Sequence, residues 1–287
     1  MNSGTATYAG FRTRTLSVEG SGPRFVLLHG YTDSANTWDG VLREVEASGR
    51  SAIAVDLPGF GLADPLLAGP VVPQIDNFVT ELVAEQSQRG PVILVGNSLG
   101  GSVSVRAAAR GVPLAGVVTI GDPAAGPWRL RSFAGSPRTG LLMRLVAMVP
   151  VPTILIRLFV WVGIRRILYG NPRGADPAVL ERFMTWLVAL GGSRALVRQV
   201  RLVCEDLANG HGAIEVECPT LIVHGVKDRI VPVRGSRALH ASLPGSELHI
   251  EPRWGHCPQL DDPAAMTRLL VERADAWLAD SAEAGLA

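Results

Sequence analysis

Three side chains in this 287-residue chain are of the types needed for a nucleophile, its base and the group that orients the base. The nucleophile is Ser98, in Gly96-Asn97-Ser98-Leu99-Gly100. A G-x-S-x-G string between an apolar strand and a small-residue helix is a tight turn that lifts a hydroxyl clear of the backbone. Its glycines are needed because strand and helix approach too closely for a Cβ, and because strained φ/ψ costs glycine least. Serine is a weak nucleophile at neutral pH and requires a base within hydrogen-bond reach, work that suits imidazole. His256, in Trp254-Gly255-His256-Cys257-Pro258, is the candidate base; its alternative is a plain loop histidine. A carboxylate must hold that imidazole in one tautomer and balance its charge. Asp228, in Val226-Lys227-Asp228-Arg229-Ile230, is the candidate, and Asp122 is its rival, with a turn cap before Pro123 as the other reading of Asp122. The chemistry of such a set is acyl transfer through a covalent serine intermediate. His29 and His224 are expected to bond loop backbone, His211, His240 and His249 to be surface or structural, Cys257 to pack, and Asp56 to anchor its loop.

These residues need a scaffold that brings distant loops together. Short apolar runs at Phe25 to Leu28, Ala52 to Val55, Val92 to Val95, Val117 to Ile120, Leu221 to Val223 and Leu248 to Ile250 are expected strands. Helical patterns alternate with them: Trp38 to Ala47 with Asn36 as N-cap, Ile75 to Gln88, Gly101 to Arg110, Arg234 to Ser242, and Pro263 to Leu278. Tyr8 to Val18 alternates loosely, as one or two antiparallel edge strands, and Ser281 to Ala287 is expected to fray. The alternation predicts an α/β fold with a mostly parallel central sheet covered by helices on both faces. Loops at the carboxyl ends of such strands carry the chemistry, and each motif above lies at such an end.

The Ser98, Asp228, His256 order, together with the His29-Gly30 and Asp56-Leu57-Pro58-Gly59-Phe60-Gly61 loops, resembles the α/β-hydrolases that carry a cap. The resemblance covers nearly the whole chain outside an insertion. It implies a core of 1–122 and 212–287 and a helical cap at 123–211. It favours Asp228 over Asp122 by the flanking sequence. It assigns the oxyanion hole to the backbone N–H groups of Tyr31 and Leu99, with the Tyr31 hydroxyl as a further candidate donor. A serine at the elbow disfavours the epoxide hydrolases and haloalkane dehalogenases of this fold, which use aspartate there. The expected activity is hydrolysis of carboxylic esters of the carboxylesterase or lipase kind, without metal or organic cofactor. The string Gly96 to Gly101 also resembles hydrolases that cleave carbon–carbon bonds in ring-fission products. Tyr31-Thr32-Asp33-Ser34 and Cys257 depart from that group's oxyanion loop and from its tryptophan after the histidine. That activity stays as one alternative, cofactor-free haloperoxidase-type activity as a side reaction, and a ligand-binding protein without turnover as another.

The net charge of +1 carries no general basic field for nucleic acid. Three cysteines without metal-like spacing suit a reducing compartment, and Met1 to Gly22 lacks the charged start and apolar run of a secretory leader, so a cytoplasmic location is expected. The even charge conceals an asymmetry: Arg129 to Arg201 holds twelve arginines, no lysine and two acids, a balance of +10 against −9 elsewhere. This segment contains two expected apolar helices, Leu141 to Val149 and Thr153 to Tyr169, broken by Pro150 and Pro152, the second too short and too interrupted by arginine for a membrane span. One reading is a cap packed on the core with solvated arginines. The other is a lid over an apolar acyl site, with Phe159, Trp161 and Trp186 at an interface and a basic rim against anionic membrane. The expected substrate is a small lipophilic ester.

Overall fold

In the computed structural model, which describes residues 1–126, 154, 158, 160–189, 193–283 and 285, eight strands form one sheet. They are β1 (Asn2–Tyr8), β2 (Phe11–Val18), β3 (Ser21–Leu28), β4 (Arg50–Val55), β5 (Val92–Asn97), β6 (Gly116–Ile120), β7 (Thr220–Gly225) and β8 (Glu247–Glu251), in the order β1-β2-β4-β3-β5-β6-β7-β8. β1 and β2 pair antiparallel, β2 joins β4 antiparallel, and every other neighbour is parallel.

The apolar runs are continuous because both faces are covered. On β3, Val26 and Leu28 enter one core and Phe25 and Leu27 the other; on β5, Val92 and Leu94 part from Ile93 and Val95 in the same way. This is the two-residue alternation of a strand. The first core is closed by α2 (Val72–Ser87) and α3 (Leu99–Ala109), through Ile75, Phe78, Leu82 and Val103. The second is closed by α1 (Asp39–Ala47) and the last long helix, through Val41, Leu42, Met266 and Leu270.

The described residues of 160–206 contribute no strand. They form a π-helical turn (Val160–Ile164), a helical turn (Arg165–Leu168), α4 (Pro177–Ala189) and α5 (Ser193–Asp206). The core resumes with β7, α6 (Val233–Ser242), β8, a turn at Pro258–Asp261 and α7 (Pro263–Glu283). The expected helix at Leu141 to Val149, Phe159 and the side chain of Trp186 lie outside the described residues.

Three expectations change. Asn36 does not cap α1: it lies in a 3₁₀ turn (Ala35–Trp38), and its amide donates to Asp39 at 3.2 Å. α1 begins at Asp39 with Trp38 at its N-cap position, so Asn36 stands two residues too early to cap it. β2 is internal rather than an edge strand. The edge is β1, whose exposed Ser, Gly and Thr carry no apolar signal and are held by backbone pairing with β2. Ser281 to Glu283 stay helical, with the Ser281 hydroxyl donating to the Trp277 carbonyl at 2.8 Å.

Candidate active site

Ser98 sits between β5 and α3 with φ 54° and ψ −116°, a conformation that L-residues adopt only under constraint. The constraint is the glycine frame. A Cβ on Gly96 would overlap the Gly100 carbonyl, and one on Gly100 would lie 2.5 Å from the Leu28 carbonyl oxygen. The serine amide donates to the Ile120 carbonyl at 2.7 Å, fixing the turn against β6. Leu99 opens α3, so its N–H lies at the positive end of the helix dipole.

His256 Nδ1 is 2.7 Å from Asp228 Oδ2. The other oxygen, Oδ1, accepts the backbone N–H of Ile230 at 2.7 Å and of Val231 at 2.9 Å. Burial alone would raise the Asp228 pKa, but the adjacent His256 and these N–H groups outweigh it and hold the carboxyl below its ordinary value. An ionised Asp228 requires the proton on His256 Nδ1, which leaves Nε2 free to accept one. His224 lies behind the pair, its Nε2 3.6 Å from Asp228 Oδ2. It donates from Nε2 to the Val231 carbonyl and accepts at Nδ1 from Ser236, and burial lowers its pKa, so it stays neutral.

Ser98, His256, Tyr31 and Leu99 line one cavity of about 200 Å³. The loop bearing Tyr31 runs against Ser98: a Cβ on Gly30 would be 3.1 Å from the Ser98 Cβ. His29 holds that loop, taking the Leu57 N–H at Nε2 (2.9 Å) and giving Nδ1–H to the Gly30 carbonyl (2.7 Å). Asp56 anchors the next loop, accepting from Ala35 N, Leu62 N and the Arg14 guanidinium. The Tyr31 hydroxyl lies 3.5 Å from Gln199 Oε1 on α5.

Asp122 is equally buried but faces elsewhere. It accepts from Ser102 Oγ, from Ala124 N at 2.7 Å and from His211 Nε2 at 2.6 Å. Burial pushes its pKa up, but His211 and these bonds prevail and keep it low. The turn is made at Gly121, whose φ of +58° suits glycine. A Cβ there would lie 3.3 Å from both Asp228 Oδ2 and His256 Nδ1. His211 is therefore a buried structural partner and not a surface residue. His240 bonds Ser246, and His249 packs beside Trp254.

Two positioning residues carry no signal in the sequence pattern. The Asn97 amide donates to the His256 carbonyl at 2.9 Å and accepts from Gln259 at 3.1 Å, tying the elbow to the histidine loop. Asp261 accepts Gly255 N at 2.6 Å and Gly170 N at 2.9 Å, joining that loop to the helical segment above it. Cys257 is buried beside them, with its N–H on the Leu168 carbonyl at 3.1 Å. No cluster of His, Cys, Asp and Glu that could hold a metal occurs among the described residues.

The sheet and the strained serine define an α/β-hydrolase. The model of the alpha/beta hydrolase family matches residues 25–269, and the chain belongs to that family. It is 31% identical over 281 residues to an uncharacterized protein of Mycobacterium tuberculosis, covering 93% of this chain and 79% of the other. It is 26% identical to a 2-hydroxy-6-oxononadienedioate/2-hydroxy-6-oxononatrienedioate hydrolase of Cupriavidus pinatubonensis, over 86% of this chain and 85% of that one. Among solved structures, a thermophilic esterase from Thermogutta terrifontis superposes with a TM-score of 0.70 at 20% identity, covering 96% of this chain and 99% of that one.

Proposed function

We propose that the protein hydrolyses carboxylic esters with an apolar acyl group through an acyl-Ser98 intermediate. His256 Nε2 takes the Ser98 proton as Oγ attacks the ester carbonyl, and the N–H groups of Tyr31 and Leu99 receive the oxyanion. His256 then protonates the leaving alcohol, and next activates the water that releases the acid. Asp228 stays ionised throughout.

The observation that carries this reading is the wall of the cavity. Ile164, Leu168, Phe183, Val203, Leu207 and Ile230 surround the serine, and its described lining contains no lysine or arginine. The dioate named for the Cupriavidus relative carries carboxylates, which need cations or dense hydrogen bonding when desolvated. Here such a group would meet hydrocarbon and Asp33. A neutral acyl chain meets no such penalty.

The test is hydrolysis of p-nitrophenyl esters from acetate to palmitate, beside a ring-fission dienoate, with Ser98→Ala as control. Ester turnover that vanishes in the variant, with the dienoate untouched, is expected. Dienoate cleavage with esters untouched would replace this reading with carbon–carbon hydrolysis. Inertness toward all of them and toward a fluorophosphonate probe would replace it with ligand binding alone.

A further inference from the structure

We propose that the face carrying the pocket docks on an anionic phospholipid surface, an inference that deepens the ester-hydrolase reading and takes its substrate class from it. The support is the distribution of exposed apolar side chains. Apart from Met1, the large apolar residues most exposed among those described are Leu62, Leu67, Ile154, Leu158, Trp161 and Val226, from 37% to 70% exposed. All six lie beyond the carboxyl end of a parallel strand. Leu62 and Leu67 follow β4, Val226 follows β7, and the other three belong to the segment between β6 and β7. That edge of the sheet also bears Ser98, Asp228 and His256. Single exposed apolar residues are ordinary on a protein surface, but their collection on the side that holds the active site is not.

Charge selects the occupant. Residues 129–201 carry twelve arginines against two acids. Arg166, Arg173, Lys227 and Arg229 are exposed on the same edge as the apolar six. A second copy of this chain would bring Arg166, Arg173, Lys227 and Arg229 against their own counterparts and be repelled. A neutral apolar partner would leave the arginines desolvated. An anionic lipid surface satisfies both components, since the headgroups take the guanidinium groups and the acyl boundary takes Leu, Ile and Trp. Neither component anchors a protein well alone, and here they coincide around an apolar cavity. No described helix is long and apolar enough to cross a membrane.

The test is co-sedimentation of the full chain, and of Ser98→Ala, with vesicles of phosphatidylcholine alone or mixed equally with phosphatidylglycerol. Binding to the anionic vesicles is expected to be at least about tenfold tighter, and to weaken about tenfold between low and high salt. The pairs Leu62→Ser/Leu67→Ser and Ile154→Ser/Leu158→Ser should each weaken it about tenfold while leaving p-nitrophenyl acetate hydrolysis unchanged. Brominated lipid should quench tryptophan emission in the parent more strongly than in Trp161→Phe. Equal binding to both vesicle types, absence of binding, or full binding by both serine pairs overturns the proposal. So does a concentration-dependent dimer that the Ile154/Leu158 pair abolishes while lipid binding persists. Vesicle binding without ester turnover leaves docking standing and refutes only the assigned chemistry; turnover without vesicle binding does the reverse.

Discussion

Asp122 and Asp228 are both buried carboxylates bonded to buried histidines, and removing them should damage the protein in different ways. Asp228→Asn can keep its one carbonyl oxygen on the Ile230 and Val231 amides, which turns its NH2 toward His256. The imidazole loses the tautomer that frees Nε2 and the charge that balances its protonation. By analogy with serine hydrolases generally, kcat should fall roughly 10⁴-fold, about 5 kcal/mol on the barrier, with little loss of stability. Asp122→Ala removes the acceptor shared by Ser102, Ala124 N and His211. The hydroxyl can rotate to another partner, while the amide and imidazole N–H groups are left buried. At about 1–3 kcal/mol for each of these two stranded donors, the loss is about 2–6 kcal/mol, or roughly 4–18 °C in Tm. The pH dependence follows the same carboxyl. Because Asp122 is held below its ordinary pKa in the native state, its stabilisation is complete above that ordinary value and disappears as pH falls through the lowered one. Asp122→Ala should therefore flatten the acid side of the stability curve. The assays are urea unfolding from pH 3 to 8 (roughly, the span over which carboxylates and histidines titrate) and kcat per fluorophosphonate-titrated site. If Asp122→Ala retains full stability, or if Asp228→Asn keeps kcat within tenfold of the parent (about 1.4 kcal/mol), the division of labour drawn here is wrong.

Gly121→Ala places a methyl at positive φ and against Asp228 and His256, so kcat should fall at least about 100-fold with a stability loss of about 1–3 kcal/mol; unchanged kinetics would show that the pair has slack. Asp33 is buried in the cavity wall, and burial holds its pKa above the ordinary value despite His29 and the Ser34 amide. Its ionised form therefore opposes folding at high pH, and Asp33→Asn should raise Tm at pH 8 with a gain that shrinks as the pH falls; a gain independent of pH, by thermal melts across that series (roughly 5 to 8, either side of neutrality), would contradict this. Asp261→Ala strands the Gly170 and Gly255 amides, and because Gly255 precedes His256 it should lower kcat by about 10- to 100-fold more than it raises KM; a purely KM effect would make Asp261 a binding residue and not a positioning one.

The sheet and the elbow are legible in the linear sequence because both rest on local physics. Strands buried on two faces must be continuously apolar, so Phe25 to Leu28, Val92 to Val95 and Leu221 to Val223 declare themselves. The turn at Ser98 needs glycine on either side whatever surrounds it. The roles of His29, Asp56 and His224 as loop braces also follow from their places at strand ends. Other features have no local expression. β1 is polar and is held by backbone bonds to β2, so its strand character lies in its partner. Asn36 has the composition of a cap but falls inside the 3₁₀ turn, two residues before the N-cap position of α1. Asp122 and Asp228 both follow strands, and nothing in their residue types decides which faces His256. The left-handed turn at Gly121 decides it, together with His211, brought to Asp122 from 89 residues away. Asn97 and Asp261 likewise become positioning residues only when the elbow, the histidine loop and the helical segment meet. Chain-local preferences select strand, turn and helix; which buried donor meets which carboxylate is set by the packing of distant segments.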